Sequence, residues 1–129
     1  MIEAALKVEL EALSGMPVYP LLLPDELQEG ITFQRISDPE MDGGMVRTGL
    51  IAGRFQISMY RIDDYTGLVL LDKKIWSAWR AVQHGSVGGY PVQYVERGGI
   101  VQDRVTLTSN RIQYRLVRDF TLYFFEGIP

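Results

Sequence analysis

Residues Thr48 to Arg61 read TGLIAGRFQISMYR, and the second half of the stretch alternates: Phe55, Ile57 and Met59 are apolar, whereas Arg54, Gln56 and Ser58 are polar. Successive side chains of a strand point to opposite faces, so a period of two predicts a strand with one buried and one wetted face. One-sided strands of this kind belong to antiparallel sheets, since the strands of parallel sheets are covered on both faces and lack the alternation. Another part of the chain must therefore cover the apolar face.

Two segments have the right period to do so. Ile2, Leu6, Leu10 and Leu13 recur at near-helical spacing, Glu3 and Lys7 form an i,i+4 pair on another face, and Ser14-Gly15 with Pro17 ends the run, which predicts a helix over residues 2–13. Asp63-Asp64 offers an N-cap to a second helix. Its stripe of Leu68, Leu71, Ile75, Trp79 and Val82 lies opposite Lys73, Lys74, Ser77 and Arg80 and runs to near His84. In AVQHGSVGGYP, Ala81 to Pro91, Gly85 is expected as the residue just past the helix end, with His84 near its carbonyls. Gly88-Gly89-Tyr90-Pro91 then reads as a turn into a strand.

Further strands are expected at Ile31–Ser37, Tyr90–Val95, Val101–Leu107 and Arg111–Phe125, the last two joined by a turn at Ser109-Asn110. In VYPLLLPDELQEG, Pro20 and Pro24 leave room for at most a short edge strand around Val18. The acidic stretch from Asp38 to Gly43 reads as a flexible hairpin tip. The predicted fold is α+β, a single domain over residues 1–129 with a mostly antiparallel sheet of about five strands and two helices packed on one face. Area scaling gives about 7,000 Å² of folded surface against roughly 21,000 Å² extended, enough burial for an ordinary core without cross-links.

Thirteen basic and sixteen acidic side chains leave a net charge of −3, which offers no bulk attraction for phosphate backbones. Specific nucleic-acid binding is not expected. The start MIEAALKVELEAL is acidic where a secretory signal needs a basic flank, and no apolar run reaches membrane-spanning length, so the expected location is the cytoplasm, with no membrane partner. The absence of cysteine excludes disulfides, thiolate catalysis and cysteine-based zinc sites.

No motif asks for catalysis. A phosphate-cradling loop places its glycines before a helix, and those of AVQHGSVGGYP follow one. His84, the only histidine, has no nucleophile or ligand partner at a recognisable spacing, which leaves a hydrolase as the last-ranked reading. Asp38-Pro39-Glu40-Met41-Asp42-Gly43 imitates the opening of a calcium loop, but Gly49 stands where a bidentate glutamate is required, and at most weak magnesium binding is expected. Asp63-Asp64 reads as a cap rather than a catalytic pair. Trp79 belongs to the core, and Trp76, on the edge of the apolar stripe, to an interface. Arg118-Asp119 interrupts a clean strand pattern, as a bulge or a buried pair would. No cofactor is implied.

The order of these segments resembles the tail completion, or tail terminator, proteins of long-tailed bacteriophages and prophages. The opening helix MIEAALKVEL, VYPLLLP before ITFQRIS, RFQISMYR before the long helix, and the closing YRLVRDFTLYFFE carry the likeness over nearly the whole chain. It implies a structural role without catalysis: a six-fold ring, built from subunits that can be monomeric before assembly, that caps a finished tail tube and presents a surface to the head-tail connector protein. Assembly would occur in the bacterial host cytoplasm and end in the virion tail or neck, with DNA passing through the ring. A ring needs two different patches on each subunit. From the sequence alone the interface residues are expected at Asp38, Glu40, Asp42 and Arg47, with Trp76 and Arg80 secondary. Two alternatives remain open, another head-tail neck component and a small-molecule-binding module with a pocket near Tyr90 and Tyr94.

Overall fold

The structure is a computed structural model that describes residues 1–44 and 46–126, the side chains of Asp42, Gly43 and Val46 excepted. The elements run α1 (Ile2–Ser14), β1 (Val18–Pro20), β2 (Gly30–Ser37), β3 (Glu40–Gly43), β4 (Val46–Ile62), α2 (Tyr65–Trp79), β5 (Gln83–Val87), β6 (Tyr90–Thr106) and β7 (Ile112–Phe125). All seven strands form one sheet in the order β1-β2-β4-β7-β6-β5, with β3 paired to β4. Among the described residues only the β1–β2 pairing is parallel. The fold is therefore α+β with two helices and a mostly antiparallel sheet.

The alternation of β4 sets the two faces. Phe55 lies opposite Phe120 and Met59 opposite Leu116, and all four are fully buried. α2 lays Leu68, Leu71, Ile75 and Trp79 on this face over β4 and β7. Asp64 caps the helix as its spacing predicts, its side chain accepting the Gly67 N–H at 2.9 Å. α1 buries Ile2, Leu6 and Leu10 and ends at Gly15, whose φ of 67° and N–H bond to the Glu11 carbonyl stop the turn. Because α1 touches both β1 and β5, the first and last strands of the sheet, the sheet is curled around the helices rather than laid flat beneath them. At Gly88 the approach is so close that a Cβ would lie 2.0 Å from the Ala5 carbonyl oxygen. Each large apolar side chain buried in this cluster contributes roughly 1.5–3 kcal/mol.

The sheet departs from the sequence expectation at three places, two of which add a strand and one of which merges two. First, the acidic segment is a strand, not a flexible tip, since Glu40 pairs with Ile51 and Asp42 with Arg47 in an antiparallel ladder. Second, α2 stops at Trp79, well short of His84, so Gly85 is not its terminal glycine; Gln83–Val87 pairs with β6 instead. Gly88 and Gly89, both at positive φ (55° and 82°), make the two-residue turn that this hairpin needs, and Val87 is fully buried by the pairing. Third, the two strands expected at 90–95 and 101–107 are one continuous strand, β6, bent by a bulge that sets Gly98 and Gly99 against Asp119. β1 is the short edge strand expected around Val18.

Arg118-Asp119 runs through β7 without a break, and the bulge sits in its neighbour. Arg118 forms the buried pair: its Nε donates to Asp72 Oδ1 at 3.1 Å and its Nη2 to Asp72 Oδ2 at 2.8 Å, while Nη1 reaches the Gly98 carbonyl at 3.3 Å. One guanidinium thus joins α2, β7 and the bulge of β6.

Candidate interaction surface

The face of the sheet turned away from the helices carries a band of cross-strand polar pairs. Arg54 Nε donates to Asp119 at 3.1 Å, Arg115 Nε to Asp103 at 2.9 Å, and the Tyr123 hydroxyl to Glu96. The Glu96 bond holds the proton on Tyr123 and pushes its pKa up to about 12. Gln113 and Arg115 of β7 lie on this face as well. Arg111 precedes β7 and bonds Asp63 at 3.0 Å. The bond that Asp63 accepts from the Ile112 N–H, together with Arg111, holds its carboxyl below the usual range.

The β3–β4 hairpin projects from one end of the sheet. The last residue of β4 to pair with β7 is Leu50, opposite Phe125. Residues 46–49 extend about 14 Å further at the rise of an antiparallel strand. Along the hairpin, Asp38 binds Arg35 at 3.2 Å and Glu40 approaches Arg47 at 4.0 Å, so its carboxylates are partly neutralised within the chain. The Arg47 side chain is 91% exposed. Asp42 pairs with Arg47 through the backbone, and its side chain lies outside the described residues.

Arg35 fastens the base of this hairpin. Its guanidinium lies 5.5 Å from the Phe55 ring centroid and 5.7 Å from that of Phe124, and it binds Glu3 of α1 and Glu126 after β7, each at 2.7 Å, as well as Asp38. Burial works against the charge, but the three carboxylates outweigh it and hold the pKa above the ordinary arginine value. Sequence reasoning missed Arg35, because only Asp38 is a near neighbour and the other two partners lie 32 and 91 residues away in the chain.

The remaining expected interface residues lie elsewhere. Trp76 stacks on Phe120 at 6.2 Å with the Arg97 guanidinium 5.2 Å from its ring centroid, making it a half-buried margin of the core. Arg80 closes α2 and is exposed. Both belong to the helix side of the sheet, so Asp38, Glu40 and Arg47 share the hairpin while Trp76 and Arg80 do not join them. His84 lies in β5, its Nδ1 2.7 Å from the Gln93 amide oxygen, and with Met41, Leu50, Tyr94 and Tyr123 it borders a shallow depression at the hairpin base. Among the described residues Tyr90 and Tyr94 border different depressions. Tyr90 packs edge-on against the buried Phe124 and donates to the Phe125 carbonyl, whereas Tyr94 meets Tyr123 on the other face.

Among the described residues no three of His, Asp and Glu gather to hold a metal ion, and no helix is long and apolar enough to cross a membrane. Asp38 and Glu40 engage arginines rather than facing a common centre. No protein-family model matches this chain, and a comparison with curated proteins finds no match.

Proposed function

We propose that this chain is a tail completion protein, six copies of which form a ring that caps the tail tube of a long-tailed bacteriophage or prophage and meets the head-tail connector protein. The reading rests on the resemblance of the segment order, and the observation that carries it furthest is the hairpin anchored by Arg35. A projecting arm held at its base by three ion pairs is a device for reaching a neighbour, and it costs little ordering entropy on docking because it is already a ladder. The tail tube protein is the partner of that arm, through Asp38, Glu40, Asp42 and Arg47. Trp76 and Arg80 serve a separate contact on the helix side. A chain of net charge −3 suits a conduit through which DNA slides without specific binding. The role is structural, requires no cofactor, and is exercised in the bacterial host cytoplasm before the protein takes its place in the virion neck.

Negative-stain imaging of the protein alone and mixed with tail tubes tests this reading. Six-fold rings or capped tube ends are expected. Featureless particles together with bare tube ends would refute it, and rings that bind only connectors would make the protein another neck component.

A further inference from the structure

The register of the sheet sets two uncovered edges at opposite ends of the same cross-strand row. Tyr19 of β1 pairs with Thr32, Thr32 with Ser58, Ser58 with Val117 and Val117 with Val101 of β6, and the next row runs from Pro20 to Ile100 in the same way. β5 covers β6 only between Tyr90 and Tyr94, so from Val95 to Thr106 no described residue pairs with the outer edge of β6. Soluble proteins usually blunt such an edge. Here it carries Ile100, Val101 and Val105, exposed by 46%, 56% and 52%.

At the other end of the row, the chain leaves β1 through Leu21 and Leu22, exposed by 69% and 75%. Leu21 holds φ at 70°, an unfavourable backbone region for a leucine, and its N–H is fixed to the Phe33 carbonyl at 2.9 Å. Two apolar side chains are thus held in solvent at the cost of strain. The charges around the two edges are opposite in sign. Asp25 and Glu26 follow the leucines, exposed and without an ion pair among the described residues. Arg97 and Arg104 flank the β6 strip, also exposed and also without one.

We propose that these edges bind each other between copies of this chain, with Leu21 and Leu22 of one copy seated on Ile100, Val101 and Val105 of the next, and Asp25 and Glu26 facing Arg97 and Arg104. The contact joins two different patches, so repetition generates a ring when the rotation closes. Strand directions agree with it. β1 runs opposite to β6, and rotation about an axis along the strands preserves both senses, so the junction continues the antiparallel order. Pro20 lacks an N–H, which leaves side chains rather than a long backbone ladder to hold the contact. This inference deepens the ring reading and rests on it, but it concerns the lateral contact alone, apart from the hairpin arm.

The absence of cysteine permits a clean test by cross-linking the full-length chain, with and without tail tubes. A Leu22→Cys/Val101→Cys variant should give, under mild oxidation, a ladder of covalent oligomers in at least one sample. A Val8→Cys/Val101→Cys control, with the first cysteine on the exposed side of α1, should not. Charge reversal gives the second arm: Glu26→Arg or Arg104→Glu alone should lower oligomer yield at least tenfold, and the double variant should restore it. A ladder no stronger than the control, or no rescue in the double variant, overturns the proposal even if tubes are capped. A ladder with rescue but bare tube ends would keep the contact and refute the tail role.

Discussion

Replacing Asp72 with Ala tests the buried pair at the junction of α2, β7 and the β6 bulge. Asp72 is 5% and Arg118 9% exposed, and two of the three hydrogen bonds of the guanidinium go to the aspartate. Removing the carboxylate leaves a buried cation with only the Gly98 carbonyl, and stranding one member of a buried pair costs about 3–5 kcal/mol. A chain of this length has an unfolding entropy of about 0.27 kcal/mol per degree, so the midpoint should fall by roughly 11–18 °C. Removing both charges is a different perturbation. Asp72→Leu/Arg118→Met fills similar space without charge and should recover most of the loss, because a buried pair is often no better than an apolar replacement. Thermal unfolding followed by circular dichroism reads both. If the double variant is as unstable as Asp72→Ala, or if Asp72→Ala costs under about 1 kcal/mol, the assignment of Arg118 as a buried, dependent cation is wrong.

Gly88→Ala should destabilise by about 2–4 kcal/mol, since a positive φ and a backbone clash add together; Gly89→Ala, with nothing within 4 Å of the added carbon, should cost about 1 kcal/mol by denaturant titration. Asp42→Ala/Arg47→Ala should leave the melting midpoint within about 2 °C, since the exposed approach of Arg47 to Glu40 is worth little, yet reduce the fraction of capped tubes counted by microscopy. Normal capping would remove the hairpin from the interface. Tyr123 should ionise near pH 12, read as the difference in ultraviolet tyrosinate absorbance between the protein and Tyr123→Phe, and Glu96→Gln should bring that ionisation down. A folded pKa raised above the unfolded value means that this stabilising contribution is complete below about pH 10 and is lost as the pH rises through about 12.

What the sequence revealed depended on the range of the forces involved. The Phe55-Ile57-Met59 alternation, the Asp64 cap and the Gly15 stop are local, and each stands where the spacing places it. The apolar stripe of α2 was legible except at its end. Val82 and Val87 both continue apolar patterns, and the tertiary gain from burying Val87 against β6 decided between helix and hairpin. Gly88-Gly89 between Val87 and Tyr90 was a hairpin signal in its own right, read only as a turn into one strand. The charge pattern at Arg118-Asp119 pointed to a bulge or a buried pair, but Asp72, 46 residues away on another element, was beyond local reasoning. The exposed edge of β6 was hidden in the same way, since whether a strand has a neighbour is a property of the sheet.

The closure of the sheet by α1 has a consequence for the order of events at the ribosome. The Gly88 N–H reaches Glu9 at 3.4 Å across 79 positions of chain. At 5–20 residues per second, α1 waits roughly 4–16 s after its own synthesis for the turn that completes its burial. By the end of that interval β1 to β4 and α2 have been made but β6 and β7 have not, so both edges of the unfinished sheet stand open. A nascent chain of this protein therefore depends on keeping copies apart during synthesis, whereas its proposed task depends on bringing finished copies together.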